Sequence, residues 1–283
     1  YANALVQLLH PTSHTNSQDV TPWSELSNSL GTLSTTRRQL YILYDAMLKY
    51  INAMSPVNTF ATHYPLDPLR PTQHDPSALL NHIAHTIDAG GLFTITTAET
   101  ITCPQGCPPR VHTDLSLTLN LCLSDNNPLN PPRTSLQPLS LQNCLNWFQN
   151  TDIYHPNNHL TCPHCTHPSD LWTKQSTPRA TPRHLILRLT RETPNGPVAG
   201  KNNVPVNFPT RNLLLPALDT QKPHRYHLHG IIRHHGLHLS EGHYTTDSLQ
   251  GTSWLRCNDN VVTAILDSDV QADGSEFMFL YTR

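Results

Sequence analysis

At 283 residues the chain is long enough to bury a substantial core, as one large domain or two small ones. A formal net charge of −2 gives no long-range pull toward nucleic acid or anionic lipid. No stretch approaches the ~20 apolar residues of a membrane-crossing helix, so neither a nucleic-acid partner nor a membrane is expected.

The opening, YANALVQLL, sets Leu5, Leu8 and Leu9 at helical spacing, yet nothing ahead of Tyr1 caps that helix or supplies its first turn. The expectation is an N-terminal truncation. Residues 10–36 are rich in Ser, Thr, Asn and Pro and read as a loop. In RRQLYILYDAMLKYINAM, Leu40, Leu43, Met47, Ile51 and Met54 share one stripe and predict a helix. DPSALLNHIAHTI predicts another, with Asp75 as its cap and Pro76 at its first position. Residues 1–90 thus read as helical.

From GLFTITTAETITC onward the pattern alternates and β-branched residues become frequent. HTDLSLTLNLCL alternates Leu115, Leu117, Leu119 and Leu121, and RHLILRLTR does the same with Leu185, Leu187 and Leu189. One amphipathic helix interrupts, SLQNCLNWFQN, through Leu141, Cys144, Leu145 and Phe148. The last third continues as strands, and no internal repeat is present.

Seven cysteines make an odd set, and four of them fall in two close pairs, Cys103 with Cys107 and Cys162 with Cys165. In a chain this long, such pairing favours metal binding in a reducing compartment over a disulfide framework. Each pair follows a strand-like run and contains Pro, so tight turns can bring backbone amides toward the sulfurs. Four thiolates of this kind can close a tetrahedral zinc shell, a structural site with no open position. The bland alternative is four unconnected buried thiols. Cys122, Cys144 and Cys257 read as core thiols.

Seven histidines lie between His224 and His243, but there is no HExxH pair and no carboxylate at ligand spacing, so a catalytic metal centre is not supported. His243 differs in context. It stands between Gly242 and Tyr244 at the start of a strand, and a hairpin connection can bring the Asn258–Asp259 pair beside it. A carboxylate there would orient the imidazole, as in a nucleophile–His–Asp arrangement. The alternative is an ordinary structural hydrogen bond, and no GxSxG elbow or suitable cysteine supplies a nucleophile.

Taken in order, these stretches resemble the catalytic domain of the ubiquitin-specific proteases, papain-like cysteine deubiquitinases. YANALVQLL is similar to the family's Cys box without its cysteine, and QHDPSALL to its second box. Two zinc knuckles, PRHLILRLTR ahead of VNFP, YHLHGIIRHHGLHLSEGHYTT, WLRCNDNVV and FMFLYTR follow in the family's order. The resemblance implies an α+β papain-like fold over residues 1–283: a helical thumb (1–90), zinc-bearing fingers (91–190) and a palm with the His and Asp boxes (191–283).

It further implies a nucleophilic cysteine directly ahead of Tyr1, His243 as general base and then acid, Asp259 holding its ring, and Asn258 in the neighbouring polar position. Gln73, Asp75, Gly242 and Tyr244 would contact substrate, and Cys103, Cys107, Cys162 and Cys165 would hold structural zinc. The partners implied are ubiquitin and ubiquitinated proteins, met by a monomer inside the cell, in cytoplasm or nucleus. Departures from the family pattern are Ala78 in place of an acid, Cys257 in place of an aromatic, LTRETP where Lys-Arg-Phe is common, and a three-residue gap in the first knuckle. An inactive ubiquitin-binding pseudoenzyme and a zinc-stabilised interaction module are the rival expectations.

Overall fold

The computed structural model describes residues 75–78, 80–81, 90–123, 139–154, 161–165, 172–193, 200–220, 222–259 and 261–283. The helices expected at 1–9 and 37–54, and Gln73, lie outside the described residues. Of the helix expected after Asp75, residues 76–78 and 80–81 are helical. Asp75 caps it as the sequence suggests: its Oδ1 accepts the Ser77 N–H at 2.8 Å, which satisfies one of the orphan donors of the first turn.

With strands numbered in chain order, one sheet contains β3 (Leu119–Cys122), β7 (His184–Thr190), β11 (Leu213–Leu215), β12 (His224–His235), β13 (His243–Gln250), β14 (Ser253–Asn258), β15 (Val261–Ile265) and β16 (Glu276–Thr282). Its order is β15-β14-β13-β12-β16-β7-β3, with β11 beside the beginning of β12. Only β3 on β7 is parallel; the other pairings are antiparallel. The interior strands β7 and β16 are covered on both faces, which is why they read as near-continuous apolar runs. Ile186 is therefore as buried as Leu185, Leu187 and Leu189, although alternation would have turned it outward.

The helix α1 (Leu141–Gln149) forms as the sequence suggests, with the Ser140 hydroxyl accepting the Asn143 N–H at 3.1 Å. Leu141, Cys144 and Leu145 enter the core beside Leu121, Leu187, Leu215 and Phe279. Each such side chain contributes roughly 1.5–3 kcal/mol on full burial. Below this apolar layer lies a buried ionic network. Arg233 donates to Asp247 at 2.7 Å, Arg191 to Glu276 at 3.1 Å, and Arg256 reaches Asp247 from the rim at 2.7 Å. Arg191, Arg233, Asp247 and Glu276 are each at most 1% exposed, so two cations and two carboxylates balance inside the sheet.

A second sheet has four strands, β1 (Ile95–Thr102), β2 (Arg110–Ser116), β5 (Thr151–Tyr154) and β6 (Trp172–Ala180), in the order β2-β1-β6-β5. Short pairs β4 (Leu139–Ser140) with β10 (Val206–Asn207), and β8 (Glu192–Thr193) with β9 (Gly200–Lys201), tie the connections together. Here the structure departs from the sequence expectation. The leucine alternation from 115 to 121 is two strands in two sheets: Leu115 is 66% exposed on β2, whereas Leu119 and Leu121 are buried on β3. The chain changes sheets at Leu117–Thr118, so β3 and β7, placed in the fingers by the 91–190 boundary, pair within the large sheet. Cys122 follows the β3 alternation outward and is exposed, not a core thiol. Among the described residues no helix is long and apolar enough to cross a membrane.

Candidate active site and zinc site

His243 is the first residue of β13 and pairs with His235 across the β12–β13 hairpin. Gly242 before it has φ +134°, and a Cβ there would stand 2.2 Å from the His235 carbonyl oxygen. Only glycine lets the chain pass so close, and this fixes where the His243 side chain emerges. On the other side, β14 runs antiparallel to β13 and turns into β15 through a two-residue loop, Asn258 facing Val261. Asp259 in that loop is left-handed, φ 51°, a conformation that Asp and Asn tolerate better than most residues.

The two turns bring His243, Asn258 and Asp259 together. His243 Nε2 lies 2.6 Å from Asn258 Oδ1 and 3.9 Å from Asp259 Oδ2. The amide oxygen accepts, so Nε2 carries the proton and Nδ1 keeps the lone pair able to take a proton from a thiol. The resemblance assigns the ring-holding part to Asp259; in the structure the hydrogen-bonding neighbour is Asn258, because it still belongs to β14 while Asp259 has entered the turn.

Tyr244 is buried, packed against the His234 ring at 4.7 Å and edge-on to Phe277 at 5.8 Å. Burial pushes its hydroxyl above the ordinary tyrosine range. His234 beneath it is fully buried, and burial together with the Lys201 charge holds its imidazole down to about 4. Lys201 donates to the His234 carbonyl at 2.5 Å, clamping the hairpin from below. Asp75, expected to contact substrate, has both carboxylate oxygens engaged: Oδ1 by Ser77 and Oδ2 by Arg188 Nε at 2.7 Å. Sequence reading had not singled out Arg188, Lys201 or Arg233. The available signal was a cation inside an apolar strand, HLILRLT for Arg188 and HGIIRHH for Arg233.

The four paired cysteines meet at the tip of the small sheet. Their sulfurs all lie within 4.8 Å of one another, and Cys103 Sγ to Cys165 Sγ is 3.8 Å. With zinc–sulfur bonds of about 2.3 Å, a tetrahedron has edges of about 3.8 Å, so the set fits a zinc ion. Gly106, at φ 73°, closes the wider first knuckle, and its N–H bonds to the Cys103 carbonyl at 3.0 Å. Burial and the neighbouring sulfurs push Cys107 up to about 12. Although burial opposes it, the Cys165 and His164 amides hold Cys162 down to about 6. Four thiolates this close call for a cation, and a bound metal would deprotonate them all. Trp172 packs against Cys103 and Cys162, with the Arg110 guanidinium 5.6 Å above its ring.

A family model described as ubiquitin carboxyl-terminal hydrolase matches residues 80–281, a span that holds His243, Asn258, Asp259 and all four knuckle cysteines. The chain belongs to this family. Among its relatives, ubiquitin hydrolase B of Dictyostelium discoideum is 29% identical over 144 residues, half of this chain and 31% of that protein. Ubiquitin carboxyl-terminal hydrolase 2 of Gallus gallus is 28% identical over 152 residues, 52% of this chain and 42% of that one. Among solved structures, a Ubp8 variant in a SAGA DUB module bound to monoubiquitin superposes with a TM-score of 0.75 at 20% identity, over 99% of this chain and 65% of that chain. Ubp8 in the module bound to ubiquitin aldehyde gives 0.73 at 19% identity, over 99% and 66%. At this identity the likeness establishes the ubiquitin-hydrolase fold, which is α+β and papain-like.

Proposed function

We propose that this chain is part of a cysteine-type deubiquitinase that cleaves the peptide or isopeptide bond behind the C-terminal glycine of ubiquitin. The observation that carries the reading is the 2.6 Å bond between His243 and Asn258 at the open end of the large sheet. A cysteine directly ahead of Tyr1 supplies the thiol. His243 Nδ1 takes its proton, the thiolate attacks the glycine carbonyl carbon, and the imidazolium returns the proton to the departing lysine amine. Water, deprotonated by the same ring, then releases the acyl group. Asn258 keeps the ring in the productive tautomer and Asp259 borders it; Gln73, Gly242 and Tyr244 shape the path of the glycine tail. The family membership and the ubiquitin-bound state of the structurally similar Ubp8 modules support ubiquitin as the partner.

None of the chain's own cysteines suits the part. Cys257 is the one on the strand beside β13, and it is 4% exposed with burial pushing its thiol up to about 11. The 283-residue chain should therefore bind ubiquitin without turning over a fluorogenic ubiquitin amide, whereas the same chain preceded by its native upstream residues should be labelled by ubiquitin with a C-terminal electrophile. Turnover by the 283-residue chain would refute the missing-thiol assignment. Ubiquitin binding by the extended chain without labelling would replace this reading with the inactive relative.

A further inference from the structure

Resting on that reading, we infer that Arg188 is a positioning residue that latches the helix begun at Asp75 to the strands carrying His243, and that Asp75 acts through this latch rather than by touching substrate. Arg188 stands on β7, its side chain only 12% exposed. Its Nε and Nη2 both reach Asp75 Oδ2, each at 2.7 Å, and Nη2 also bonds Glu192. The guanidinium carbon sits 5.2 Å over the Phe277 ring, and Phe277 meets Tyr244, the residue after His243. A continuous line of contacts thus runs from the helix start through Arg188, Phe277 and Tyr244 to the imidazole strand.

On the helix side the line is equally fixed. Asp75 Oδ1 accepts both the N–H and the hydroxyl of Ser77, at 2.8 and 2.7 Å, so the carboxylate has no oxygen left over for a ligand. Leu80, one turn on, is 1% exposed and anchors the same helix. The Arg188 guanidinium is largely buried while Asp75 stays partly exposed, and charge-assisted bonds of this kind are shorter and stronger than neutral ones. Catalysis by a thiol on one lobe and an imidazole on another depends on their relative placement, and a misplacement of about 1 Å costs about 100-fold. Among the described residues, Arg188 is the only cation that touches the Asp75 carboxylate.

The test compares Asp75→Asn, Arg188→Met and the double variant in the chain carrying its native upstream residues. Asn retains capping ability, so Asp75→Asn removes the ion pair and leaves the helix start intact. For a ubiquitin amide, each single variant should lower kcat about 10- to 100-fold with KM changed less than about 3-fold. The double variant should be no worse than either single, since both break one contact. Hydrogen exchange of the amides at 77, 78, 80 and 81 should quicken in Arg188→Met while those of β13 do not.

Asp75→Asn raising KM while Arg188→Met leaves it alone would mean that Asp75 touches substrate, and would overturn the inference. So would wild-type kcat and exchange in Arg188→Met, or additive losses. Should Arg188→Met fail to fold, Arg188→Lys keeps the charge but not the two-nitrogen grip, and is expected to give the same kcat loss in milder form. A wild-type chain with no thiol-dependent turnover would count against the deubiquitinase reading alone, and the exchange measurement would still decide the latch.

Discussion

The two sheets of this molecule are held together by different physics. Among the described residues the small sheet has a buried apolar cluster of Cys103, Cys162 and Trp172, while Ile95 at the start of β1 joins the large core, and its edge strand β2 is exposed along nearly its whole length. The large sheet buries both faces of β7 and β16 and carries a closed ionic network beneath them. A region with so little apolar burial must draw its stability from elsewhere, and four converging sulfurs supply the means. The regions should therefore fail separately, under different insults.

The largest expected effect is loss of the metal. Zinc sites of this type bind with about 10–16 kcal/mol of apparent free energy at neutral pH, which is folding free energy for whatever surrounds them. Chelation, or Cys162→Ser, should unfold β1, β2, β5 and β6 while amides in β7, β12 and β16 stay protected from hydrogen exchange. Zinc content by atomic absorption and a residue-resolved exchange map would check it. Uniform protection after chelation would show that the small sheet stands without the ion.

Next in size is the network of the large sheet. Arg233→Met removes one of the two cations that each of Asp247 and Glu276 engages, leaving Asp247 with Arg256 and Glu276 with Arg191. Leaving a buried charge wholly uncompensated costs about 3–5 kcal/mol, and the remaining cations keep the loss below that. Urea denaturation should show this loss in the large-sheet transition, with zinc affinity unchanged. A silent Arg233→Met would mean that the buried charges are interchangeable with apolar packing.

A third effect separates the sheets by pH. His234 is fully buried and its imidazole is held down to about 4 from the ordinary 6.5 by burial and the nearby Lys201 and His235. Below pH 6.5 the unfolded chain binds a proton that the folded chain refuses, so stability falls as pH drops from 6.5 toward 4 and levels off below that. The full swing is on the order of 3 kcal/mol. His234→Phe, which keeps a ring against Tyr244 and Phe277, should flatten that slope in pH-dependent thermal melts. An unchanged slope would assign the acid sensitivity to the thiolates instead.

What could be read beforehand was local chemistry. The knuckles announced themselves through spacing, Asp75 through its place before a helical run, and the nearness of Asn258–Asp259 to His243 through the hairpin connection between them. What could not be read depended on partners distant in sequence. Arg191 and Glu276 are 85 residues apart, and Arg188 and Asp75 113 apart, so neither pairing leaves a periodic trace. The leucine alternation at 115–121 hid a change of sheet because period two says which side a residue faces, not which sheet it joins. The choice of Asn258 over Asp259 beside His243 turned on one residue of register.

The smallest effect tests how independent the two sheets are. The helix α1 belongs to both: its apolar face enters the large-sheet core, and its last carbonyl, Gln149, accepts the Gln175 side chain from β6 at 3.1 Å. Ser140→Ala removes the hydroxyl that caps its first turn, a loss of about 1 kcal/mol. If α1 couples the sheets, this variant should shift the large-sheet urea midpoint and also raise the zinc concentration needed to protect the small sheet. If only the large-sheet midpoint moves, α1 is packed on one sheet and merely touches the other, and the metal alone decides whether the small sheet folds.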